Sequence, residues 1–343
     1  MDRILKSKYK ITGKLSESDR SITYRGSHAE TGANLLIKIF KRNYLNSVLT
    51  KKLKKDISVL SRLEHPSVPR LLDGDYGWQG FYFVREFVEG SDFSSAKKPL
   101  EVEKARSLAE GICEALEAAH DRGIIHGNLT PGNIFLEGSK VRVADFGINA
   151  AVNSSIEKLS ATLMEKEAAY LSPEEVMGQA PDVHSDIYKL GIFMYLCLTG
   201  SLPFSEEKSP VLAALKKVRS APQPPSAINP KVPKFMDDIV MKCLERDPLL
   251  RFPSASYARS SLGNSALMLP HFFSIEMPEL GILDNGKKET PEEKKKESEK
   301  KEFETAEGNK SGISLFRWML AAFLASVAGG IIYSLVQILV MGE

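Results

Sequence analysis

Apolar and polar positions alternate along the first quarter of the chain. From Tyr9 to about Val88 the alternation runs through YKITGKL, SITYRGS, NLLIKIF and FYFVREFV. A period of two residues predicts strands that bury one face. Residues 49–63 interrupt this pattern with apolar positions three and four apart, which predict a helix. We therefore expect a small sheet with one helix over residues 9–88.

The pattern becomes helical from Leu100 to about Leu269. Apolar residues recur at spacings of three and four in EVEKARSLAEGICEALEAAH and in DIYKLGIFMYLCLTG, as on the buried face of a helix. The sequence thus predicts an α+β fold in one domain, residues 1–270. Its N-terminal lobe, 9–88, is small and β-rich, and its C-terminal lobe, 91–270, is larger and helical.

An uncharged segment near the end of the sequence predicts a membrane anchor. Residues 318–341 read WMLAAFLASVAGGIIYSLVQILVM, and about 20 apolar residues suffice to span a bilayer. We expect a transmembrane helix over 314–341, preceded by a linker over 271–313 in which lysine and glutamate nearly balance. Basic residues before the span, with none after it, predict a cytoplasmic domain and an outside C-terminus.

Small residues line one face of the predicted span. Ala321, Ala325 and Gly329 recur every four residues, which is the spacing at which transmembrane helices approach each other closely. This pattern favours a homodimer held together through the transmembrane helix.

Composition narrows the class of function only a little. A net charge of +2 on 343 residues is too small for a nucleic-acid-binding surface, so we expect no nucleic-acid partner. Cys113, Cys197 and Cys243 lie far apart without a C-x-x-C pair, which predicts reduced core thiols. The shares of 43% hydrophobic and 26% charged residues suit an enzyme and a binding module equally, so function must be argued from motifs.

Five short motifs occur along the predicted domain. They are Lys38 in LLIK, residues 126–133 as HGNLTPGN, residues 145–147 as DFG, residues 172–174 as SPE, and Asp186 in SDIYKLG. In order and spacing they resemble the Hanks-type serine/threonine protein kinases, and SDIYKLG with LTGSLPF is similar to the prokaryotic branch of that family. The resemblance covers about residues 9–269 and implies a bilobal protein-kinase fold.

The resemblance assigns ligand-binding roles to four polar residues. Lys38 would hold the α and β phosphates of ATP and pair with Asp56 on the predicted helix, where the family has a glutamate. Asn133 and Asp145 would hold Mg²⁺ through their oxygens.

The same motifs have a structural alternative. Phe146 and His126 would stack with Leu60 and Leu71 into a spine that joins the lobes, so that the motifs are retained for folding. Metal binding and a role in folding both stay open at this point.

The catalytic loop lacks groups that phosphoryl transfer needs. Asn128 stands where the family has its catalytic aspartate, and an amide cannot accept the proton of a substrate hydroxyl. Thr130 replaces the lysine that would neutralise the transferring phosphoryl group. These two changes predict a pseudokinase.

The glycine-rich loop of the family is also changed. Ser16, Ser18 and Ser21 stand at its three glycine positions, and serine resists the close backbone approach and positive φ that glycine allows. Glu17 and Asp19 add negative charge where a triphosphate would lie. We therefore expect an ordinary polar hairpin here.

Large side chains line the expected nucleotide pocket. The residues that the resemblance assigns to it are Lys38, Leu36, Glu86, Val88, Asp92 and Phe135. Leu36 and Phe135 would fill the adenine slot with protein atoms, since interiors contain few voids. Arg85, just before the hinge, is larger than usual, whereas Asp92 would still reach a ribose. Binding of Mg-ATP and the absence of any cofactor both stay open.

Other motif residues should maintain the fold. We expect Glu174 to pair with Arg251 and Asp186 to anchor the backbone of the catalytic loop. Residues 166–170 lack the glycine-threonine pair that positions a peptide substrate in serine/threonine kinases.

The sequence as a whole predicts a membrane-anchored signalling protein. We expect a pseudokinase that serves as scaffold or allosteric partner of another protein, for instance an active kinase. The alternative is a weakly active ATP-dependent serine/threonine kinase, because Lys38, Asn133 and Asp145 are retained. A third interpretation is structural, with the linker and the transmembrane helix setting the spacing at the membrane.

Overall fold

The computed structural model describes residues 3–18, 21–41, 47–77, 80–94, 99–148, 168–205 and 210–263. The chain divides into two units, Met1–Ser274 and Ile275–Glu343, and every described residue lies in the first. The predicted linker and transmembrane helix, 271–341, therefore lie outside the described residues. No helix within the described ranges is long and apolar enough to cross a membrane.

The N-terminal lobe is an antiparallel sheet. Its strands are β1 (Arg3–Leu5), β2 (Tyr9–Glu17), β3 (Ser21–His28), β4 (Asn34–Phe40), β5 (Leu71–Gly77) and β6 (Gly80–Glu86). They lie in the order β1-β2-β3-β4-β6-β5. The four strands predicted from alternation are β2, β3, β4 and β6, whereas β1 and β5 are additions that the sequence pattern does not predict.

One helix, α1 (Ser47–Leu60), packs against β5. Its buried side chains include Leu53 and Ile57, which repeat at four-residue spacing as predicted. A Cβ atom at Gly74 of β5 would meet the end of the Ile57 side chain and would lie 3.3 Å from the Tyr82 carbonyl oxygen, so helix α1 packs closely on the strand at this glycine.

The C-terminal lobe combines a small sheet with helices. The sheet contains β7 (Ser91–Asp92), β8 (Ile134–Glu137) and β9 (Lys140–Val143). The described α-helices are α2 (Val102–His120), α3 (Pro173–Val176), α4 (Val183–Thr199), α5 (Pro210–Arg219), α6 (Pro225–Ile228), α7 (Lys234–Cys243) and α8 (Ala255–Gly263). The three cysteines of the chain are buried and free, as predicted.

Helix α4 runs through the middle of this lobe. Every residue from Ser185 to Thr199 is buried. The helix begins after Asp182, whose carboxylate accepts a hydrogen bond from the Ser185 N–H at 3.0 Å. It ends at Gly200, which has a φ of +79° and closes the last turn in the left-handed conformation.

A stack of buried side chains connects the two lobes. The rings of His126 and Phe146 have centroids 4.5 Å apart. Phe146 also belongs to one buried cluster with Leu60 of α1 and Leu71 of β5. The predicted stacking of His126 on Phe146 is therefore confirmed, and Phe146 shares the buried core with Leu60 and Leu71.

A buried ion pair stabilises the lower part of the helical lobe, as predicted. The Arg251 guanidinium donates two parallel hydrogen bonds to the Glu174 carboxylate, at 2.8 and 2.7 Å. Its nitrogens also donate to the backbone carbonyls of His184, Glu245 and Arg246. Burial would raise the pKa of Glu174, but hydrogen bonds, led by those from Arg251, lower it to about 2.

Candidate active site

The backbone of the catalytic loop is held by Asp186 of α4. This carboxylate is fully buried. It accepts hydrogen bonds from the N–H groups of His126 and Gly127, both at 2.8 Å, and contacts His120 Nε2 at 2.8 Å. The predicted anchor is confirmed, so the loop keeps its shape even though its chemistry has changed.

His126 ties the same loop to the end of β9. Its Nε2 lies 3.1 Å from the Ala144 carbonyl, and its Nδ1 accepts from the Asn128 N–H at 3.2 Å. Burial lowers the pKa of His126. A neutral ring with its proton on Nε2 satisfies both contacts.

Asn128 and Thr130 are both half-buried in this loop. The Asn128 carbonyl accepts a hydrogen bond from Asn133 Nδ2 at 2.9 Å. The Asn133 side-chain oxygen has no hydrogen-bond partner within the described part of the chain. The structure thus brings together the two changed positions and one of the predicted metal ligands.

Asp145, the other predicted metal ligand, is surrounded by protein cations. Its Oδ1 accepts from Arg85 Nε at 2.9 Å, and its Oδ2 lies 3.4 Å from Lys38 Nζ. Burial alone would raise the pKa of this carboxyl, but the charges of Lys38 and Arg85 hold it below its usual value. Asp145 is therefore an ionised carboxylate with both oxygens in use.

The predicted pair between Lys38 and Asp56 does not form. Lys38 turns to Asp145 instead, with its Nζ 5.9 Å from the ring centroids of Phe40 and Phe83. Asp56 is half-buried on α1 and has no ion pair with any described residue. Aspartate is one methylene shorter than the glutamate of the family, so it does not compete with a carboxylate already beside the lysine.

Arg85 lies across the expected adenine slot. The side chain is 5% exposed. Its Nη1 donates to the Glu86 carbonyl at 3.0 Å, and its guanidinium carbon lies 5.5 Å from the centroid of the Phe135 ring. Sequence reasoning notes only the size of Arg85 and misses these contacts. The signal that points to them is the position of Arg85, a charged residue that directly follows the apolar run FYFV within β6.

The remaining residues assigned to the nucleotide make local contacts. Glu86 Oε2 accepts from the Arg70 N–H and from Arg142 Nη2, each at 3.1 Å. Val88 is buried. Asp92 Oδ1 caps a turn by accepting from the Ser94 N–H at 2.9 Å. One carboxylate oxygen of Asp92, the residue predicted to contact a ribose, is therefore already hydrogen-bonded within the chain.

Leu36 and the segment between β2 and β3 are the other positions that the sequence assigns to the nucleotide site. Leu36 is partly buried and packs on the main core. The Ser18 N–H, just after β2, donates to the carbonyl of Ser21, the first residue of β3, at 2.9 Å. Glu17 pairs with Lys41 at 3.0 Å. Asp19 lies outside the described residues.

Comparison with known proteins supports the assignment of the fold. Residues 9–261 match the family model of the protein kinase domain. The kinase domain of Mycobacterium tuberculosis PknI, 20% identical, has the same fold with a TM-score of 0.60 over 76% of this chain and 98% of that domain. The chain belongs to the protein kinase family.

Curated relatives indicate which class of protein kinase the chain is similar to. A Clostridium perfringens protein described as a "Probable serine/threonine-protein kinase" is 33% identical over 258 residues, covering 74% of this chain and 37% of that protein. The serine/threonine-protein kinase PrkC of Bacillus subtilis is 29% identical over 256 residues, covering 73% and 39%. The chain thus spans well under half the length of these bacterial serine/threonine kinases.

Protein kinases generally use Mg-ATP, and the residues here do not fit it as they are arranged. Both oxygens of Asp145 contact protein cations, so a magnesium ion would share this carboxylate with two positive charges that repel it. The Glu86 carbonyl, a hinge acceptor, already accepts a hydrogen bond from Arg85. Lys38 and Asn133 are present, but the contacts around them do not support a reaction step that uses a bound nucleotide.

The sequence pattern does not predict the burial of two lysines in the helical lobe, because lysines in amphipathic helices normally face solvent. Lys189 of α4 is one of them. Its Nζ donates to the Gly127 carbonyl at 2.6 Å and to Glu175 Oε1 at 2.7 Å. It therefore links the catalytic loop to helix α3.

Lys217 of α5 is the other buried lysine. Its Nζ donates to the backbone carbonyls of Ala168, Ala169 and Leu171, at 3.2, 2.5 and 3.0 Å. These three acceptors lie just before SPE, where the family docks its peptide substrate. Lys217 thus pins this segment to α5 from inside the protein.

Lys217 should make stability depend on pH. Burial lowers the pKa of its ammonium to about 7, whereas a lysine in the unfolded chain has a pKa of about 10.4. Between these values the unfolded state binds up to one more proton, so the free energy of unfolding should rise with pH by up to about 1.4 kcal/mol per unit. Lys217→Met should remove this slope.

Denaturant unfolding at several pH values between about 7 and 9 measures the slope. Lys231→Met, at an exposed lysine, is the control and should leave the slope unchanged. Equal slopes in the wild-type chain and in Lys217→Met would show that Lys217 does not titrate as proposed.

Proposed function

We propose that this chain is a pseudokinase that acts by binding another protein. The observation that carries the proposal is Asn128 at the position of the catalytic base. The two carboxylates beside the loop offer no substitute. Asp186 uses its oxygens on backbone N–H groups, and Asp145 uses its oxygens on Arg85 and Lys38. Among the described residues beside the loop, neither of these carboxylates is free to take the proton of a hydroxyl substrate.

The proposal includes a cellular location and a class of binding partner. The uncharged segment 318–341, within the predicted transmembrane helix 314–341, supports attachment to a membrane, with the kinase-like domain on the cytoplasmic side. The small-residue face of that segment supports a homodimer. The partner is a protein, such as an active serine/threonine kinase, for which an intact kinase fold without turnover is a scaffold or an allosteric effector.

A weakly active kinase is the second candidate function. It is favoured by Lys38 and Asp145, which lie side by side, and by the Asn133 oxygen, which has no partner among the described residues. Loss of a general base lowers a rate by about 10²- to 10⁴-fold without abolishing it. Slow transfer would therefore be compatible with these residues.

Phosphotransfer from γ-labelled ATP separates the two functions. We expect the chain to label itself and a general protein acceptor no faster than its Lys38→Met variant does, at millimolar Mg²⁺ and ATP. Lys38→Met is the matched control because Lys38 is partly exposed and Arg85 still balances Asp145. Turnover by the wild-type chain that Lys38→Met abolishes would establish the second function instead.

A further inference from the structure

Arg85 contacts the groups on which a metal–nucleotide complex would depend. We propose that its guanidinium is an internal substitute for that complex, and that this one side chain keeps nucleotide out of the pocket. The inference rests on the proposed function, because it explains how a kinase fold that does not transfer phosphate remains stable without a bound nucleotide. It also makes Arg85 the residue that determines ligand specificity at this site.

The first contact replaces the cation. Arg85 Nε lies 2.9 Å from Asp145 Oδ1, with Arg85 at 5% and Asp145 at 6% side-chain exposure. A buried carboxylate is strongly unfavourable without a positive partner. In a magnesium-binding site the ion supplies that charge, whereas here the guanidinium supplies it permanently. Lys38 adds a second positive charge at the other oxygen.

The second and third contacts take the place of the adenine base of a nucleotide. Arg85 Nη1 donates to the Glu86 carbonyl at 3.0 Å, so this hinge acceptor is already used. The guanidinium also lies over Phe135, with its central carbon 5.5 Å from the ring centroid, which is within the range of a cation–π contact. A planar cation thus occupies space beside the aromatic floor of the slot.

The sheet fixes the direction of the side chain. Arg85 on β6 is paired with Leu36 on β4 and with Leu71 on β5. Residues directly opposite each other in antiparallel strands project from the same face. Arg85 is therefore flanked by two leucines and projects with them into the slot between the lobes.

Arg85 has little space in which to move aside. The cavity behind it, lined among others by Leu60, Leu71 and Phe146, measures about 20 Å³. That is room for about one water molecule, far too little for a guanidinium. A ligand would have to break the ion pair and expel the side chain through the mouth of the slot, which lowers its apparent affinity by the fraction of time the side chain is out.

The test is binding of MgADP to the full 343-residue chain, measured by isothermal titration calorimetry. Arg85→Met keeps a long side chain and removes the charge and the donors. We expect this variant to bind MgADP about tenfold more tightly than the wild-type chain, or better. Arg85→Gln, which keeps polar contacts without the charge, should behave in the same way and serves if Arg85→Met folds poorly.

Two further variants sharpen the result. Leu36→Ala opens space in the same slot and leaves Arg85 in place, so it should not gain affinity. Adding Asp145→Asn to Arg85→Met should abolish the gain, because the metal ligand is weakened. Gain of binding in Leu36→Ala but not in either Arg85 variant would overturn the proposal in favour of simple steric closure by Leu36.

Other outcomes are equally decisive. Tight binding of MgADP by the wild-type chain would overturn the role of Arg85 and leave the missing base at Asn128 untouched. Folded Arg85→Met and Arg85→Gln chains that still fail to bind would also overturn it. Phosphotransfer by the wild-type chain contradicts the proposed function separately, since that assay reports turnover and the calorimetry reports binding.

Discussion

Replacing Asp145 with alanine is expected to lower the free energy of unfolding by about 3–5 kcal/mol, because it leaves buried cations without their counter-ion. Arg85 carries most of this effect, since its side chain is 5% exposed whereas that of Lys38 is 18% exposed. In a site that awaits a metal ion, the same change would relieve charge repulsion. Denaturant unfolding at neutral pH measures the difference.

Two comparisons show that the effect comes from charge. Asp145→Asn keeps an acceptor for Arg85 and should lose less stability than Asp145→Ala. Asp238→Ala removes a surface pair with Lys234, at 41% and 80% exposure, and should change stability by about 0–1 kcal/mol. An Asp145→Ala chain as stable as Asp238→Ala would mean that Arg85 and Lys38 do not need Asp145.

The same ion pairs set a direction for acid unfolding. Lys38 and Arg85 hold the pKa of Asp145 below its usual value. The contribution of this carboxylate is therefore complete above the unfolded pKa of about 4 and is lost as pH falls through the lower folded pKa. The Asp145→Asn chain should lack this part of the acid transition.

Features that depend on local periodicity or on motif spacing follow from the sequence. Strands β2, β3, β4 and β6 and the helical character of the C-terminal lobe belong to this group. The ion pair between Glu174 and Arg251 and the contacts of Asp186 with the catalytic loop follow from the spacing of the motifs.

Strand β5 shows where periodicity fails. Its sequence LLDGDYG contains two glycines and two aspartates, which are depleted in strands. It forms because it pairs with β6 along its length and because Gly74 admits helix α1 above it. Tertiary contacts, which a single-sequence pattern does not contain, decide the conformation here.

The contacts of Arg85 are missed for a different reason. Arg85 and Asp145 are 60 residues apart in the chain, and Lys38 can reach a carboxylate on α1 or on the motif after β9. Sequence shows that charges are present but not which of them meet. The sequence therefore predicts Asp56 as the partner of Lys38, whereas in the structure Lys38 pairs with Asp145.

Replacing Arg251 with alanine should have an effect of similar size on stability, about 3–5 kcal/mol, far from the pocket. The Arg251 side chain is 0% exposed and donates to both oxygens of Glu174 as well as to three backbone carbonyls. Its removal leaves a buried carboxylate and these carbonyls without donors. Denaturant unfolding of the variant, compared with the wild-type chain, measures the loss.

Two arginine variants test whether the buried geometry causes this loss. Arg251→Lys keeps the charge but not the two parallel donors, so most of the loss should remain. Arg106→Ala removes an arginine that is 27% exposed, pairs with Glu103 and Glu110 and donates to the Leu262 carbonyl, and it should cost about 1–2 kcal/mol. Full stability of Arg251→Lys would show that charge alone holds α3 in place. Within the described part of the chain, Arg251 makes no hydrogen bond, ion pair or ring contact with a residue assigned to the nucleotide slot. Its variants therefore separate loss of fold from loss of ligand exclusion, because Arg251→Lys should gain no affinity for MgADP, whereas Arg85→Met should.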